Sequence, residues 1–132
     1  MKLYLDSSAL VKLVQQESES DALRGFLLDH RSDALVTSAL ARVEVVRAVS
    51  GGGHRAIEQA RRQLARLDQI ALGSALLDRA ADLTPAVQLR ALDAIHLAAA
   101  QTVGADLRAV VTYGRRMADA AGALGLVAQS PV

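Results

Sequence analysis

Three acidic residues stand in this chain where folding alone gives little reason for them. Asp6, Glu44 and Asp93 interrupt the apolar stretches LYLDSSALVKL, LARVEVVRAV and LRALDAIHLAAA. Burying a carboxylate without a partner costs on the order of several kcal/mol, so such groups normally pair with a cation. No run of Lys or Arg lies close enough in sequence to serve all three. If the fold gathers them, their mutual repulsion raises their pKa values unless a cation neutralises it. Oxygen donors of this kind suit Mg²⁺ or Mn²⁺. An ion held there can acidify a bound water and stabilise charge on a phosphoryl oxygen, so the chemistry implied is metal-assisted hydrolysis of a phosphodiester. Taken singly, each acid has a plainer reading. Asp6 and Asp93 can each cap a helix, beginning near Ser8 and at Ala94, and Glu44 can pair with Arg47 or lie exposed. Removing the Asp6 carboxylate is expected to abolish catalysis at little cost in stability, because it relieves repulsion.

The elements that must position these acids alternate between strand and helix. Leu3–Leu5 is a short buried strand ending at Asp6, and Ser7–Gln16 and Ser18–Asp29 read as helices, with Ser18 as N-cap and Asp21 completing a capping box. Leu35–Thr37 is a second buried strand; Ser38 is expected to cap a helix to about Val49, which places Glu44 about two turns in. Gly51, Gly52 and Gly53 stop that helix. The spacing of Ile57, Ala60, Leu64 and Leu67 makes the next helix, and a helical hairpin about the glycines. Ile70–Leu72 is a third strand, followed by a helix from Ser74 interrupted near Pro85. Leu92–Val103 is helical, Ala109–Tyr113 a strand, Arg115–Ala123 a helix and Leu126–Ala128 an edge strand. This order predicts an α/β fold, a parallel sheet covered by helices on both faces, with residues 1–132 forming one domain. In such sheets function gathers beyond the carboxyl ends of the strands, where all three acids can meet.

Composition narrows the classes further. Tyr4, Phe26 and Tyr113 are the whole aromatic set, so base stacking on aromatic platforms is excluded as a main binding mode. The absence of Cys excludes thiolate metal sites and thiol catalysis and agrees with a reducing compartment. Neither a signal core nor a long apolar span is visible, which predicts a soluble, cytoplasmic protein. Between Arg42 and Arg66, six arginines stand against Glu44 and Glu58, which fits either a solvated helix face or a polyanion-facing surface. A phosphatase or phospho-acceptor role for Asp6 is disfavoured, since DSS lacks a second Asp two residues on.

Four segments together, LYLDSSALVKL, TSALARVEVVRA, LDAIHLAAA and AVVTYGRRMADAAGALGL, resemble the PIN-domain ribonucleases, and most closely the VapC-type toxins of bacterial toxin–antitoxin pairs. The resemblance covers essentially the whole chain. It implies a three-layer α/β/α sandwich with a five-stranded parallel sheet. It also implies a Mg²⁺- or Mn²⁺-dependent endoribonuclease, neutralised by a VapB-like antitoxin, forming a homodimer and toxin–antitoxin hetero-oligomers. By position, Asp6, Glu44 and Asp93 are the implied catalytic and metal-binding acids, and Ser8 and Thr112 the supporting hydroxyls. Arg55, Arg61, Arg62, Arg115 and Arg116 are candidates for contacts to the RNA backbone. His96 reads as packing or as an orienting hydrogen bond. One departure stands out: the family pattern usually has a fourth acid where this chain has Gly114, and Asp119 lies five residues later on the expected helix. That departure implies retained metal binding with reduced or lost cleavage, leaving a module that binds RNA or antitoxin as the alternative.

Overall fold

The computed structural model describes residues 1–83 and 88–132; the interruption expected near Pro85 lies outside the described residues. Five strands, β1 (Lys2–Leu5), β2 (Ala34–Ser38), β3 (Asp68–Ile70), β4 (Leu107–Val111) and β5 (Ala128–Gln129), form one sheet in the order β3-β2-β1-β4-β5. Every pairing is parallel. Seven α-helices are described: α1 (Ser7–Val14), α2 (Ser20–Asp29), α3 (Ala41–Val49), α4 (Gly53–Leu64), α5 (Ser74–Asp82), α6 (Ala91–Val103) and α7 (Arg115–Ala123).

The alternation of strand side chains builds two cores. Leu3 and Leu5 of β1 and their register partners Ala109 and Val111 of β4 face α1, α2, α3 and α4. Tyr4, its partners Val36 and Val110, and the buried Ala-rich side of α6 form the other core with α5 and α7. The result is the expected α/β/α sandwich. The chain winds outward from β1 to β3, then crosses to β4 and winds the other way. The topological switch therefore falls between β1 and β4, and a crevice opens beyond their carboxyl ends.

Several boundaries differ from the sequence expectation. Ser18 does not cap α2: its N-cap is Glu19, with no side-chain capping bond. The buried Ser20 hydroxyl instead accepts from the Glu17 N–H and donates to the Lys12 carbonyl, tying the turn to the end of α1. Ser38 is no cap either. It belongs to β2, opposite Ile70 of β3, and α3 starts at Ala41. Glu44 consequently sits in the first turn of α3 rather than two turns along. β3 and β5 are displaced by about two residues from the apolar runs Ile70–Leu72 and Leu126–Ala128, because an edge strand's extent is set by its parallel neighbour rather than by its own hydrophobicity. The glycines do end α3. A 3-10 turn spans Ser50–Gly52, a Cβ on Gly52 would approach Ala56 Cβ at 2.8 Å, and Gly53 takes φ +82°. Only glycine meets both conditions.

Candidate active site

Asp6, Glu44 and Asp93 line one open cleft of about 460 Å³, together with Ser7, Ser8, Arg90, His96, Gly114, Arg115, Arg116 and Met117. Topology explains the convergence. Asp6 is the N-cap of α1, Glu44 and Asp93 lie in the first turns of α3 and α6, and Gly114 is the N-cap of α7. Each helix starts with its free N–H groups and positive dipole end there, an environment that favours carboxylates.

The three acids are held differently. Asp6 is buried; its Oδ1 accepts from the Ser8 hydroxyl at 2.6 Å and the Ala9 N–H at 3.1 Å, and its Oδ2 accepts from the Thr112 hydroxyl. Ser8 also accepts from the Tyr113 N–H and Thr112 from the Gly114 N–H, so both hydroxyls are oriented to donate to Asp6. The plain capping role and membership of the acidic cluster are thus combined in one residue. It follows that Asp6→Ala removes a helix cap and leaves three donors short, a loss of about 1 kcal/mol or more, contrary to the near-neutral cost expected from repulsion.

Glu44 makes no ion pair with Arg47 among the described residues. Its Oε1 accepts from the Ser7 hydroxyl and from His96 Nε2, both at 2.6 Å. Burial pushes its carboxyl up, but the hydrogen bonds from His96 and Ser7 outweigh that and leave it below the usual value. Asp93 is neither the cap of α6, which is Arg90, nor hydrogen-bonded or ion-paired among the described residues. Its carboxyl is raised, first by burial and then by the negative charge of Asp6.

These donors fit a divalent cation in kind: hard oxygens in a solvent-open cleft, with the Asp93 carboxylate and Glu44 Oε2 without a partner among the described residues. Yet among the described residues no three acidic or histidine side chains are grouped closely enough to enclose a single ion. An ion bound by one or two protein carboxylates and otherwise by water or substrate oxygens is the arrangement Mg²⁺ commonly accepts.

Of the arginines singled out in the sequence, Arg115 and Arg116 reach this cleft. Arg55, Arg61 and Arg62 are carried by α4 and do not line it, while Arg61 borders a separate groove with Arg42, Val43 and Val46. Arg90, Ser7 and Tyr4 were not singled out. Arg90 carried a legible signal, because a cation at a helix N-terminus opposes the dipole and so invites another explanation. Ser7 is indistinguishable from a solvent-facing neighbour of Ser8 until the fold brings Glu44 beside it.

Comparison with known proteins shows the family and the fold. Residues 3–123 match the PIN domain family model. The chain is 50% identical over 129 residues to Ribonuclease VapC46 of Mycobacterium tuberculosis, covering 98% of this chain and 97% of that protein. It is 44% identical over 131 residues to Ribonuclease VapC35 of the same organism, covering 98% and 96%. The fold superposes on the crystal structure of Mycobacterium tuberculosis VapC20, a Sarcin-Ricin loop cleaving toxin, with a TM-score of 0.77 at 17% identity over 98% of this chain and 99% of that one. It also matches VapBC2 from Rickettsia felis, solved bound to a DNA fragment from their promoter, with a TM-score of 0.73 at 16% identity over 100% of both chains. The chain belongs to the PIN domain family, in its VapC-type group.

Proposed function

We propose that this chain is a Mg²⁺- or Mn²⁺-dependent endoribonuclease toxin, acting in the cytoplasm as one domain of residues 1–132 and restrained by a VapB-like antitoxin. The observation that carries this reading is the convergence of Asp6, Glu44 and Asp93 on one cleft whose rim also bears Arg90, Arg115 and Arg116. Carboxylates for a cation and guanidinium groups for phosphate are the two halves of a phosphodiesterase site. Relatives named as ribonucleases, aligned over nearly the whole chain, support the same reading. No helix among the described residues is long and apolar enough to cross a membrane.

Asp6 and Asp93 are the residues that would hold the ion, with Glu44 as a further ligand or as the base that orients water. When bound, the ion supplies charge stabilisation at the phosphate and a more acidic water. Ser8 and Thr112 fix Asp6 through both its oxygens. Glu44 has its Oε1 engaged, which leaves Oε2 to take a hydrogen bond from water in the cleft. Arg90, Arg115 and Arg116 would neutralise flanking backbone phosphates. The groove of about 700 Å³ between α3 and α4, with Val43, Val46 and Leu64 beside Arg42 and Arg61, suits an apolar helix of the antitoxin that also carries acidic groups. A homodimer and a toxin–antitoxin hetero-oligomer are the assemblies proposed.

Gly114 favours a second reading, a module that binds RNA or antitoxin with weakened or no cleavage. It leaves the α7 side of the cleft without a carboxylate. One experiment separates the two. Purified, antitoxin-free protein is incubated with total cellular RNA in Mg²⁺, Mn²⁺ or EDTA, beside Asp6→Asn prepared identically. Asparagine keeps the capping oxygen, so this variant removes the charge while retaining the α1 cap, with the Thr112 hydroxyl turning to accept from the amide. Cleavage by wild type alone, and only with an ion, is the expected result. Equal cleavage by Asp6→Asn, or cleavage indifferent to EDTA, overturns the assignment. RNA bound but uncut with either ion favours the second reading.

A further inference from the structure

Behind Glu44 a buried polar chain runs from the cleft, through His96, into the sheet core. Tyr4, at the centre of β1, is fully buried, and its hydroxyl lies 2.7 Å from His96 Nδ1. The other ring nitrogen, Nε2, lies 2.6 Å from Glu44 Oε1. His96 is 2% exposed and sits on α6, one turn after Asp93. Three elements of the sandwich, β1, α3 and α6, are therefore joined through one imidazole to a carboxylate at the cleft.

The donors and acceptors assign the protons. Glu44 in its carboxylate form can only accept, so His96 Nε2 carries a hydrogen. In a neutral ring Nδ1 then bears the lone pair, and the Tyr4 hydroxyl donates to it. The Tyr4 hydroxyl and both His96 ring nitrogens are satisfied in this form. Burial also holds the Tyr4 phenol far up, in agreement with a hydroxyl that stays protonated and donates.

We infer that Tyr4 and His96 are positioning residues: the buried tyrosine fixes one histidine tautomer, and the histidine, with Ser7, locks Glu44 Oε1 so that Oε2 alone faces the cleft. The inference rests on the ribonuclease reading for its catalytic consequence, but not for its geometry. It explains why a tyrosine occupies a sheet-core position that Phe or Leu would fill without a polar atom to satisfy. It also gives Glu44 a role unlike that of Asp6, whose two oxygens are both engaged, and unlike that of Asp93, which has no partner among the described residues. Locking one oxygen removes the rotational freedom of a long side chain, the freedom a reacting geometry must otherwise suppress.

The test uses the full chain with Tyr4→Phe, His96→Ala and His96→Gln. Tyr4→Phe keeps volume and shape, and Gln can still present an N–H to Glu44. Three quantities are read: the ¹⁵N signals of the His96 ring, Mn²⁺ affinity from titration followed by electron paramagnetic resonance, and kcat and KM on a short fluorogenic RNA. Wild type is expected to show a single neutral tautomer with the proton on Nε2. Tyr4→Phe should give mixed tautomers, several-fold weaker Mn²⁺ binding and about tenfold lower kcat at unchanged KM. His96→Ala should lose about a hundredfold in kcat, and His96→Gln should recover part of it. A wild-type ring protonated on Nδ1 overturns the relay. So does a Tyr4→Phe protein that keeps the wild-type tautomer, Mn²⁺ affinity and kcat. A wild type that leaves RNA intact sinks the ribonuclease reading instead, and the ring spectrum and Mn²⁺ titration still decide the relay.

Discussion

The two ends of the sheet treat their carboxylates in opposite ways. At the amino end of the strands, Asp33 precedes β2 and pairs with Arg108 of β4 and with the Met1 amino group at 3.4 Å. Its side chain is 3% exposed, and the Arg108 guanidinium holds its carboxyl below the usual range. At the carboxyl end, Asp93 has no such partner among the described residues, and its carboxyl is pushed up by burial and by Asp6. One end matches charge with charge and ties β1, β2 and β4 together. The other end gathers like charges where helices begin, at a cost to the free protein that a bound cation would offset. An acid matched by cations and an acid left among like charges are thus told apart by what surrounds them.

Exchanging the two kinds of acid tests this contrast most severely. Asp6→Asn and Asp93→Asn should each reduce cleavage by about 10³-fold, corresponding to roughly 4 kcal/mol of lost transition-state stabilisation. Asp33→Asn should leave kcat/KM within about twofold of wild type yet lower the melting temperature. Initial rates and calorimetry on the three variants decide the matter. Comparable losses of activity in all three would mean that the amino end also serves the reaction.

A smaller effect is expected where the contrast is incomplete. Gly114 has φ −82° and ψ 121°, a conformation open to any residue, and an added Cβ would meet Met117 Cβ at 3.4 Å and Thr112 Oγ1 at 3.6 Å, ordinary contact. Gly114→Asp therefore introduces a fourth carboxylate without steric conflict. It would also cap α7, worth a few tenths of a kcal/mol, which repulsion from Asp6 and Asp93 offsets in the metal-free protein. The expected outcome is a melting temperature in EDTA close to wild type, tighter Mn²⁺ binding and cleavage raised about tenfold at limiting Mn²⁺. Unchanged Mn²⁺ affinity would show that the α7 side takes no part in holding the ion.

Much of this was legible before any coordinates. The order of strands and helices follows from short apolar runs ending in polar residues, because a parallel strand buried on both faces leaves an uninterrupted apolar word. The three acids stand out as carboxylates inside apolar stretches, and the two hydroxyls that donate to Asp6 are implied by the family resemblance alone. Edge strands were less legible. Asp68–Ile70 and Ala128–Gln129 are short, and their place is dictated by pairing with β2 and β4 rather than by their own residues. Ser18 and Ser38 satisfied the local pattern of a cap, but tertiary contacts used the neighbouring backbone differently. His96 reads in the sequence as packing or an orienting hydrogen bond, and in the fold it is buried and hydrogen-bonded at both ring nitrogens. Its partners Tyr4 and Glu44 stand 92 and 52 residues away, beyond any local pattern.

The pH dependence of stability should carry the contrast in its sign. Asp33 titrates lower folded than unfolded, so the stability it contributes is complete above the ordinary carboxylate range and drains as pH falls through its folded value. Asp93 titrates higher when folded, so the native state holds that proton longer and stability falls as pH rises from the ordinary range through the folded value. In EDTA, Asp33→Asn should flatten the acid limb of the melting-temperature curve. Asp93→Asn should remove the decline on the side toward neutrality, as saturating Mg²⁺ should do for wild type. Curves of the same slope for both variants would erase the distinction between the two ends.

The smallest expected effects belong to the arginines, and they ask whether the contrast extends to the substrate. Arg90, Arg115 and Arg116 border the acidic cleft, whereas Arg55 and Arg62 do not. A guanidinium that neutralises one phosphate releases its condensed counterion, so its loss weakens binding uniformly and reduces the salt dependence by about one unit of log–log slope. Arg115→Ala and Arg116→Ala should therefore raise KM several-fold and flatten the salt dependence, with kcat little changed. Arg55→Ala and Arg62→Ala should leave both as they are. If the α4 variants moved the slope as much as the cleft variants, RNA would have to track across α4 as well, and the groove beside it would no longer be free for an antitoxin helix while RNA is bound.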